Sequence, residues 1–371
     1  MKLLIGGSPC THWSIAQTKN RETEASGIGW ELFLNYKIAR DKYQPDYFLY
    51  ENNKSMSPAI RAQITAELGV EPVLINSALV SAQNRQRLYW AGKRNQDGTY
   101  SQVAVEQPVD RGILLRDILE SGAVTWHEKA YTLRASAATK QGVSNVLRHI
   151  ETNGHFGYMG VAEPVNMTVD GKAQCLRATY YKDGIRNMVG NTVDRKTCVA
   201  MPVGTAAGPQ SILVVTAPGK SMPVYEVRNG RISIKGKTYP IKLADGFYII
   251  RKLTVTECKR LQTVPDTYAF PVSDTQAYKM LGNGWTVDVI AHIMSHFDGL
   301  TAEPVEVLSM YDGMSCGHIA LDKLGAEITA YYATEIDKYA IQTTQHNFPD
   351  TVQLGDAFQV RDDDWRLGDK L

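Results

Sequence analysis

Long hydrophobic runs and paired cysteines are both missing from this chain. No stretch comes near the roughly 18 consecutive apolar residues that a membrane-spanning helix needs, and no signal peptide is recognisable at the start. The five cysteines, an odd number, form no C-x-x-C pair. These absences argue against a membrane protein, a disulfide framework and a zinc site. We therefore expect a protein of the reducing cytoplasm that carries no metal.

Net charge is close to zero for the whole chain, yet the charges are unevenly distributed. The 371 residues sum to +1, but residues 127–245 hold 16 lysines and arginines against 8 acidic residues, a net of +8. The remainder holds 24 against 31, a net of −7. A basic segment of this kind favours a polyanionic partner such as nucleic acid. A solvated, lysine-rich surface would leave the same pattern.

The chain divides into three segments that differ in their pattern of strand-like and helix-like stretches, which we take as 1–117, 118–250 and 251–371. The first alternates strand-like and helix-like stretches, beginning with Lys2–Gly6 as a strand and Gly29–Lys42 as an amphipathic helix. The middle consists of short β-type runs broken by glycine, asparagine and proline, and helical periodicity returns after residue 251. This pattern predicts an α/β fold with a mostly parallel, doubly wound sheet, whose ligands bind at the carboxyl ends of the strands. The small β-rich middle segment would be inserted into it.

Two reactive side chains stand at the ends of strand-like stretches. Gly6-Gly7-Ser8-Pro9-Cys10 places Cys10 on a turn after the first strand, where a favoured thiolate would act as a nucleophile. Glu51 follows the apolar stretch Tyr47–Tyr50 and is placed to protonate or hydrogen-bond a substrate nitrogen. A buried, inert cysteine and a surface carboxylate are the alternatives for these two positions.

Two arginines and a glycine turn add further candidates. Arg85 and Arg87 share one face of a strand and suit a carbonyl oxygen or a phosphate, although solvated arginines fit the same spacing. Asp312-Gly313 and Gly317 flank a strand-to-helix turn, and Glu335 ends the next strand about 20 residues beyond. An acidic residue there is the usual partner of ribose hydroxyls, while the glycine spacing differs from that of a dinucleotide-binding loop. The turn therefore points to a nucleoside-type cofactor other than NAD.

Together these motifs resemble those of the C5-cytosine DNA methyltransferases over about 240 of the 371 residues, all of the chain outside the basic middle segment. The matching segments are Pro9-Cys10 for the nucleophile motif, Glu51-Asn52 for the Glu-Asn-Val motif, Gln83-x-Arg85-x-Arg87 for the arginine motif, Arg251 to Pro265 for the ninth motif, Gly282 to Val287 for the tenth, and Leu308 to Gly317 for the cofactor loop. The second match departs at its third residue, where Asn53 stands. The cofactor loop resembles that of the animal de novo methyltransferases in particular.

The order of these motifs differs from that of the family. There the cofactor loop comes first, whereas here it follows the tenth motif, so the arrangement is circularly permuted. It is similar in kind to the plant domains-rearranged enzymes, though cut at another place. We expect Met1 and Leu371 to lie near one another, on the loop entering the strand before Cys10, with Asp298–Pro304 as the new linker.

The resemblance implies a Rossmann-like S-adenosylmethionine-dependent methyltransferase fold and a DNA (cytosine-5-)-methyltransferase reaction, in which a covalent Cys–C6 adduct activates a flipped-out cytosine. Cys10 would be the nucleophile, Glu51 would hold N3 and the exocyclic amine, and Arg87, with Arg85, would lie at O2. The implied cofactor site consists of Tyr311, Asp312, Gly313, Gly317, Glu335, Ile336, Asp356, Asn283 and Trp285. The middle segment would be the target-recognition domain, with candidate contacts to double-stranded DNA at Lys129, Arg134, Lys172, Arg177, Lys182 and Arg186.

Two alternatives stay open at this point. The tRNA cytosine methyltransferases are similar in scaffold, but a middle segment of roughly 130 residues argues against their reduced recognition region. A noncatalytic DNA-binding regulatory paralogue would lack the nucleophile or the cofactor loop, whereas Cys10, Glu51, Arg87 and Glu335 are all present. The resemblance is also compatible with a companion restriction nuclease, in the cytoplasm of a bacterial or phage-infected cell, with association to the nucleoid through DNA.

Overall fold

The computed structural model describes residues 1–14, 21–120, 125, 128–130, 132–133, 161–165, 200–202, 212–217, 220–234, 236–251 and 253–367. The chain divides into two compact units. The first consists of Met1–Ile113, Thr132–Ala135 and Lys259–Leu371, and the second of Leu114–Tyr131 and Ser136–Cys258. The first unit is therefore built mainly from two segments that are far apart in the sequence.

Fifteen strands occur among the described residues. They are β1 (Lys2–Gly6), β2 (Tyr47–Asn53), β3 (Val73–Asn76), β4 (Gln86–Arg94), β5 (Tyr100–Gln102), β6 (Val161–Val165), β7 (Ala200–Pro202), β8 (Ile212–Ala217), β9 (Lys220–Arg228), β10 (Arg231–Ile234), β11 (Lys237–Pro240), β12 (Gly246–Arg251), β13 (Val305–Met310), β14 (Ile328–Thr334) and β15 (Val352–Gly355). The α-helices are α1 (Gly27–Tyr43), α2 (Pro58–Leu68), α3 (Leu115–Ile118), α4 (Val255–Leu261), α5 (Asp274–Asn283), α6 (Val287–Met294), α7 (Cys316–Leu324) and α8 (Lys338–Asn347). Short 3-10 helices cover Cys10–His12, Ser77–Leu79 and Ala357–Arg361.

The described strands of the first unit form one eight-stranded sheet in the order β15-β14-β13-β1-β2-β4-β3, with β5 paired to β4. The strands from β15 to β2 run parallel. At the centre of the sheet, Leu3, Leu4 and Ile5 of β1 are fully buried, as is typical of a parallel strand with both faces covered. Because these strands run in one direction, their carboxyl ends meet at one edge of the sheet.

Strand β4 departs from the parallel arrangement that the alternating pattern of residues 1–110 predicts. It pairs antiparallel with both β2 and β3. The connection from β3 to β4 carries the Ser77–Leu79 turn and is too short for the crossover that a parallel neighbour requires. The antiparallel register sets Asn53 opposite Arg87. The mostly parallel α/β sheet is otherwise confirmed.

Aromatic packing connects α1 to the strand that carries Glu51. Phe33 and Tyr36 are buried on one face of α1, and both rings contact Tyr50 of β2, with centroids 5.4 and 4.8 Å away. Tyr50 is itself fully buried. This cluster fixes the backbone immediately before Glu51.

The ends of α2 follow the local sequence. The Ser57 hydroxyl accepts a hydrogen bond from the Ile60 amide at 3.2 Å, and Pro58 occupies the first turn, where its missing N–H costs nothing. Gly69 ends the helix with a left-handed φ of +75°. Across the part of the chain that the structure describes, none of the helices combines the length and apolar composition that crossing a membrane takes.

The described strands of the second unit form an antiparallel sheet, in which β11-β10-β9-β12-β6 are neighbours and β8 joins β9 to β7. A small core on this sheet contains Val227, Ile232 and Tyr248. After the sheet, the Thr254 amide donates to Glu257 Oε2 at 2.8 Å, and the Glu257 amide donates to Thr254 Oγ1 at 3.2 Å. This reciprocal pair is a capping box that starts α4.

The expected nearness of Met1 and Leu371 stays a prediction, because Leu371 lies outside the described residues. The amino group of Met1 donates to the Pro304 carbonyl at 2.7 Å. Lys42 lines the same surface cleft as Met1, and its Nζ donates to the carbonyl of Asp362 at 2.6 Å. Residue 362 thus lies near one wall of the cleft at Met1.

Candidate active site

A cavity of about 430 Å³ lies at the carboxyl edge of the parallel strands. Residues at or after the ends of β1, β2, β13, β14 and β15 contribute to its wall. Every predicted catalytic residue lines it, namely Cys10, Glu51, Arg85 and Arg87. The predicted cofactor residues that line it are Tyr311, Asp312, Gly313, Glu335, Ile336, Asp356, Asn283 and Trp285. The nucleophile candidate and the cofactor candidates therefore share one cavity.

Cys10 begins the 3-10 turn Cys10–His12 directly after β1. A buried polar group fixes the approach to this turn: Ser8 Oγ and Tyr50 OH lie 2.6 Å apart, and Asn52 Nδ2 donates to the Ser8 carbonyl at 3.1 Å. Cys10 itself is half-buried in the cavity wall. The turn therefore presents the thiol to the cavity from a well-anchored backbone.

A second thiol among the described residues, that of Cys316, lines the same cavity. It belongs to the first turn of α7, and burial raises its pKa to about 12. A thiol of this kind stays protonated at neutral pH and is a poor nucleophile. Of these two thiols, the half-exposed Cys10 is the better placed to attack a substrate.

The Glu51 carboxylate is held from two sides. Its Oε1 lies 3.0 Å from Arg87 Nε, and its Oε2 accepts a hydrogen bond from Trp285 Nε1 at 3.0 Å. The side chains of Glu51 and Arg87 are only 12% and 15% exposed. Since water screens such a pair little, removal of either charge would leave the other poorly compensated. A carboxylate and a guanidinium thus stand in fixed relation on the wall of the cavity.

Arg85 is placed differently from Arg87. Its buried guanidinium donates to three carbonyl oxygens, those of Leu133 at 3.2 Å, Gly282 at 3.3 Å and Gly284 at 2.9 Å. Burial, with the charge of Arg87, lowers the pKa of Arg85 to about 10, which leaves it charged at neutral pH. Arg85 therefore ties the end of α5 to the segment before β4.

A buried carboxylate gives the loop after β13 its shape. Asp312 accepts hydrogen bonds from Ser309 Oγ at 2.7 Å and from Tyr331 OH at 2.8 Å. Burial raises the pKa of Asp312, against the effect of these hydrogen bonds. Next to it, Tyr311 adopts a left-handed φ of +61°, which costs a non-glycine residue roughly 1 kcal/mol or more. The Tyr311 hydroxyl donates to the Leu32 carbonyl at 2.6 Å, which holds this conformation in place.

Glu335 connects this loop to the end of β14. Its Oε2 accepts from the Gly313 amide at 2.8 Å, and its Oε1 accepts from the amides of Ile336 and Asp337, both at 2.7 Å. Gly313 has φ +62°, and apart from Gly313 and its two chain neighbours no atom of the described residues lies within 4 Å of the position its Cβ would take. The backbone conformation, rather than crowding, therefore favours glycine here. The Ile336 side chain is 74% exposed at the rim of the cavity.

The remaining cofactor candidates lie at the edges of the cavity or behind it. Asp356 is exposed, and its Oδ1 accepts from the Phe358 amide at 3.0 Å. Asn283 is the last residue of α5. Gly317 lies behind the loop instead: a Cβ there would be 2.1 Å from Ile5 Cδ1, so glycine lets α7 pack against β1. The structure thus places Gly317 among the packing contacts of the loop.

A family model matches residues 1–298 of the chain, and its description is C-5 cytosine-specific DNA methylase. This chain belongs to that family. The resemblance drawn from the sequence motifs is thereby confirmed, together with the prediction of an enzyme of this kind. The match ends before the loop that follows β13.

Two relatives of the methylase match most of this chain at about a quarter sequence identity. Type II methyltransferase M.HpaII of Haemophilus parainfluenzae is 25% identical over 300 residues, which cover 78% of this chain and 69% of the relative. Orphan methyltransferase M.SPRI of Bacillus phage SPR is 23% identical over 365 residues, which cover 78% of this chain and 81% of the relative. Among solved structures, the match to the Entamoeba histolytica methyltransferase EhMeth covers 79% of this chain and 76% of the EhMeth chain. The two chains are 14% identical, and the TM-score is 0.37.

Two contacts in the methylase's cavity were missed by the sequence motifs. Lys279 Nζ lies 2.6 Å from Asp337 Oδ2, and both residues line the cavity. The sequence indicates these two residues only by their position next to predicted site residues. Lys279 lies one helical turn before the tenth motif, and Asp337 lies two residues after Glu335. The hydrogen bond from Trp285 to Glu51 was also not foreseen, because the motifs assign Trp285 to the cofactor alone.

Most of the predicted DNA contacts of the methylase cannot be placed on the structure. Lys129 belongs to the second unit and is half-buried. The others lie outside the described residues: Arg134, Lys172, Arg177, Lys182 and Arg186. Their roles stay predictions.

Proposed function

We propose that this methylase transfers the methyl group of S-adenosylmethionine to C5 of a flipped-out cytosine in double-stranded DNA, by way of a covalent bond between Cys10 and C6. The shared cavity carries this proposal, because Cys10 and the Glu51–Arg87 pair line the same space as the cofactor loop and Glu335. A base and a methyl donor bound in one cavity of this size would be in contact.

The cofactor end of the cavity fits a nucleoside. The exposed Ile336 offers an apolar surface for adenine, Asp356 is exposed for the adenine amine, and Glu335 stands at the strand end where ribose hydroxyls are usually bound. The other residues that would hold the cofactor are Tyr311, Asp312, Gly313, Asn283 and Trp285. When bound, S-adenosylmethionine supplies a methyl group on a cationic sulfur, which is a strong electrophile.

Cys10 would activate the base. Cytosine C5 is a poor nucleophile, so the Cys10 thiolate adds to C6, forming a sulfur–carbon bond and moving the electron pair of the C5–C6 double bond toward C5. C5 would then form a bond to the methyl group as the bond from methyl to the sulfonium sulfur breaks. Loss of the C5 proton would re-form the C5–C6 double bond and expel the thiolate. The anchored turn at Cys10 serves this addition, because attack on C6 requires a fixed approach to one face of the ring.

Glu51 and Arg87 would hold the Watson–Crick edge of the same base. The carboxyl group suits the exocyclic amine, which donates to it, and N3, to which it would pass a proton during the addition. The guanidinium suits O2, where negative charge develops. Their mutual contact at 3.0 Å fixes the spacing of these groups before the base arrives. Arg85 would act differently, since three carbonyl oxygens already occupy its guanidinium.

The middle segment would recognise the DNA. A cytosine within a duplex is inaccessible to the thiol, so the nucleotide has to leave the stack at a cost of a few kcal/mol. The net charge of +8 over residues 127–245 supports binding of this segment to the phosphate backbone. The candidates for these contacts are the six basic residues named from the sequence.

We also propose that the motif order is a circular permutation of the family's. Two observations support it: the family match ends at residue 298, before the cofactor loop, and β13, which leads into that loop, pairs in parallel with β1, which leads to Cys10. The sheet therefore places the two motifs side by side although they stand near opposite ends of the sequence.

Mass spectrometry of deoxynucleosides tests the proposed reaction. Cells that express this chain should accumulate 5-methyldeoxycytidine in their DNA, and cells that express Cys10→Ala should stay at background, because the variant lacks the thiol that adds to C6. Cys316→Ala is the matched control, since its thiol is buried and protonated, and it should retain methylation.

The other outcomes separate the alternatives. Methylated cytosine in tRNA but not in DNA would favour the RNA-modifying alternative. DNA binding without methylation of either nucleic acid would favour the noncatalytic paralogue. Equal loss of methylation in the Cys10 and Cys316 variants would contradict the assignment of the nucleophile.

A further inference from the structure

Trp285 is connected to both groups of candidates in the cavity, those for the base and those for the cofactor. Its side chain lines the cavity with the cofactor candidates, and its indole Nε1 donates to Glu51 Oε2 at 3.0 Å. Arg87 occupies the other carboxylate oxygen of Glu51, also at 3.0 Å. Among the residues that the structure describes, each oxygen of the carboxylate thus has one partner, which leaves its other lone pairs for a bound base.

The backbone around Trp285 is held firmly by buried side chains. Gln262 Nε2 and Arg85 Nη2 both donate to the Gly284 carbonyl, at 3.3 and 2.9 Å. On the other side of Trp285, Thr286 Oγ1 donates to Gln262 Oε1 at 2.9 Å. Because both neighbours are fixed, the backbone that carries the indole ring is held in place, and its N–H reaches the carboxylate from a fixed Cα position.

The contact between Trp285 and Glu51 also lies close to Gly7, in the segment that connects β1 to Cys10. A Cβ on Gly7 would be 3.0 Å from Glu51 Oε2 and 3.5 Å from Trp285 Nε1, and 2.8 Å from the Glu51 carbonyl oxygen. A side chain at position 7 would therefore press on this hydrogen bond, and glycine leaves room for it. Three elements meet here: the end of β1, the end of β2 and the segment between α5 and α6.

We propose that Trp285 is a positioning residue for Glu51, which it holds through its indole N–H, in addition to any contact of its ring with the cofactor. This inference rests on the proposed function, since it assigns Glu51 to the base. A carboxyl group restrained at both oxygens keeps one orientation, so it meets the donating amine of cytosine, and N3, with which it shares a proton, at fixed positions. Without the indole donor, Arg87 is the one remaining partner of the carboxylate among the described residues, and the carboxylate can rotate.

Trp285→Phe tests this role, because it removes the N–H and keeps an aromatic ring in the wall. Single-turnover methylation of duplex DNA should slow by about 10-fold, the size expected for one hydrogen bond to a charged group. The dissociation constant of S-adenosylmethionine, measured by calorimetry, should change by less than about threefold. Trp90→Phe is the matched control: Trp90 Nε1 donates to Thr65 Oγ1 at 3.0 Å outside the cavity, and its loss should leave the methylation rate unchanged.

A double-mutant cycle decides whether Trp285 acts through Glu51. In a Glu51→Gln background, Trp285→Phe should slow the reaction much less than it does in the parent, since the carboxylate it positions is gone. Equal slowing in both backgrounds would overturn the inference, and so would a large loss of S-adenosylmethionine affinity with an unchanged rate at saturation. If Trp285→Phe fails to fold, β-(3-benzothienyl)alanine at position 285 gives the same deletion of the N–H in a ring of the same shape.

Failure of the inference is distinguishable from failure of the proposed function. If the parent chain forms no 5-methyldeoxycytidine, the proposed function is wrong. If the parent is active and Trp285→Phe behaves like Trp90→Phe, the positioning role alone is wrong.

Discussion

Two arginines that stand two positions apart have different environments in this methylase. The Arg85 guanidinium is buried among three backbone carbonyls, whereas Arg87 contacts the Glu51 carboxylate and keeps a partly exposed side chain. The first arrangement holds segments of backbone together, and the second faces the substrate. Arginine suits both, because its planar fork carries several donors in fixed directions.

Exchange of each arginine for lysine should separate these tasks. Arg85→Lys keeps the charge but cannot reach three carbonyls, so we expect a loss of about 3 kcal/mol in the free energy of unfolding. Arg87→Lys keeps an ion pair with Glu51 and should cost less than about 1 kcal/mol, yet slow methylation by roughly 100-fold, because O2 loses its planar donor. Urea unfolding and single-turnover rates measure both effects. A larger stability loss for Arg87→Lys than for Arg85→Lys would contradict this division.

Side-chain positions were predictable from the sequence where they depend on strand ends, and unpredictable where they depend on distant partners. Cys10, Glu51 and Glu335 were found because parallel strands bring their carboxyl ends to one edge. The partner of Glu51 was missed, since Trp285 lies 234 residues away and nothing local encodes the direction of its N–H. Gly317 was assigned to the cofactor, although its close neighbour is Ile5 in the central strand.

At the scale of elements, the turn at Cys10 depends on a carboxylate that no motif contains. Glu22 Oε2 accepts from Trp13 Nε1 and from the Gly29 amide, both at 3.1 Å, and the Glu22 amide donates to the His12 carbonyl at 2.9 Å. One residue thus joins the Cys10–His12 turn to the first turn of α1. A Cβ at Gly29 would be 2.5 Å from Glu22 Oε2, so glycine is needed there for the carboxylate to fit.

Removal of this carboxylate should loosen both elements. Glu22→Ala leaves two part-buried donors without their acceptor, and we expect a loss of about 2 kcal/mol in the free energy of unfolding. Glu22→Gln keeps one carbonyl oxygen and should lose about half as much. The exposed neighbour Glu24 gives the matched control, Glu24→Ala, which should cost less than about 0.5 kcal/mol. Urea unfolding of the three variants is the measurement. Equal losses of stability for the two alanine variants would contradict the role of Glu22 in joining the Cys10–His12 turn to α1.

Element types were predicted better than strand direction. The determinants of α2 are local, with Ser57 and Pro58 at its start and Gly69 at its end. The expectation that β4 runs parallel to its neighbours was wrong. Alternation of strand and helix implies parallel strands only where the connection is long enough for a crossover. Residues between β3 and β4 form a short turn, and the strand has to return antiparallel.

For the whole molecule, strand order matters more than chain order. The sheet places β13 between β14 and β1, so the strand before the cofactor loop is a direct neighbour of the strand before Cys10, with Met310 paired to Gly6. The same neighbours would arise if the segment from β13 onward preceded β1 in the chain. Met1 already lies at the entrance to β13, where its amino group contacts the Pro304 carbonyl.

A rearranged chain tests the proposed permutation. Leu371 would be joined to Met1 by a glycine-serine linker, and the chain opened between Ala302 and Glu303, which are exposed. We expect the free energy of unfolding of this variant to lie within about 1 kcal/mol of that of the parent, and its methylation rate to lie within about threefold. The new linker replaces the exposed connection that is opened, and the packed sheet is unchanged.

The matched control opens the same joined chain between Asn35 and Tyr36, which are buried in α1, and it should not fold because the break divides a core helix. Circular dichroism and urea unfolding compare the variants, and deoxynucleoside mass spectrometry reports their activity. If the chain opened at 302 is unfolded with linkers of several lengths, Leu371 and Met1 cannot be joined across the native sheet. The family's motif order would then be incompatible with this fold, and the proposal of a circular permutation would be wrong.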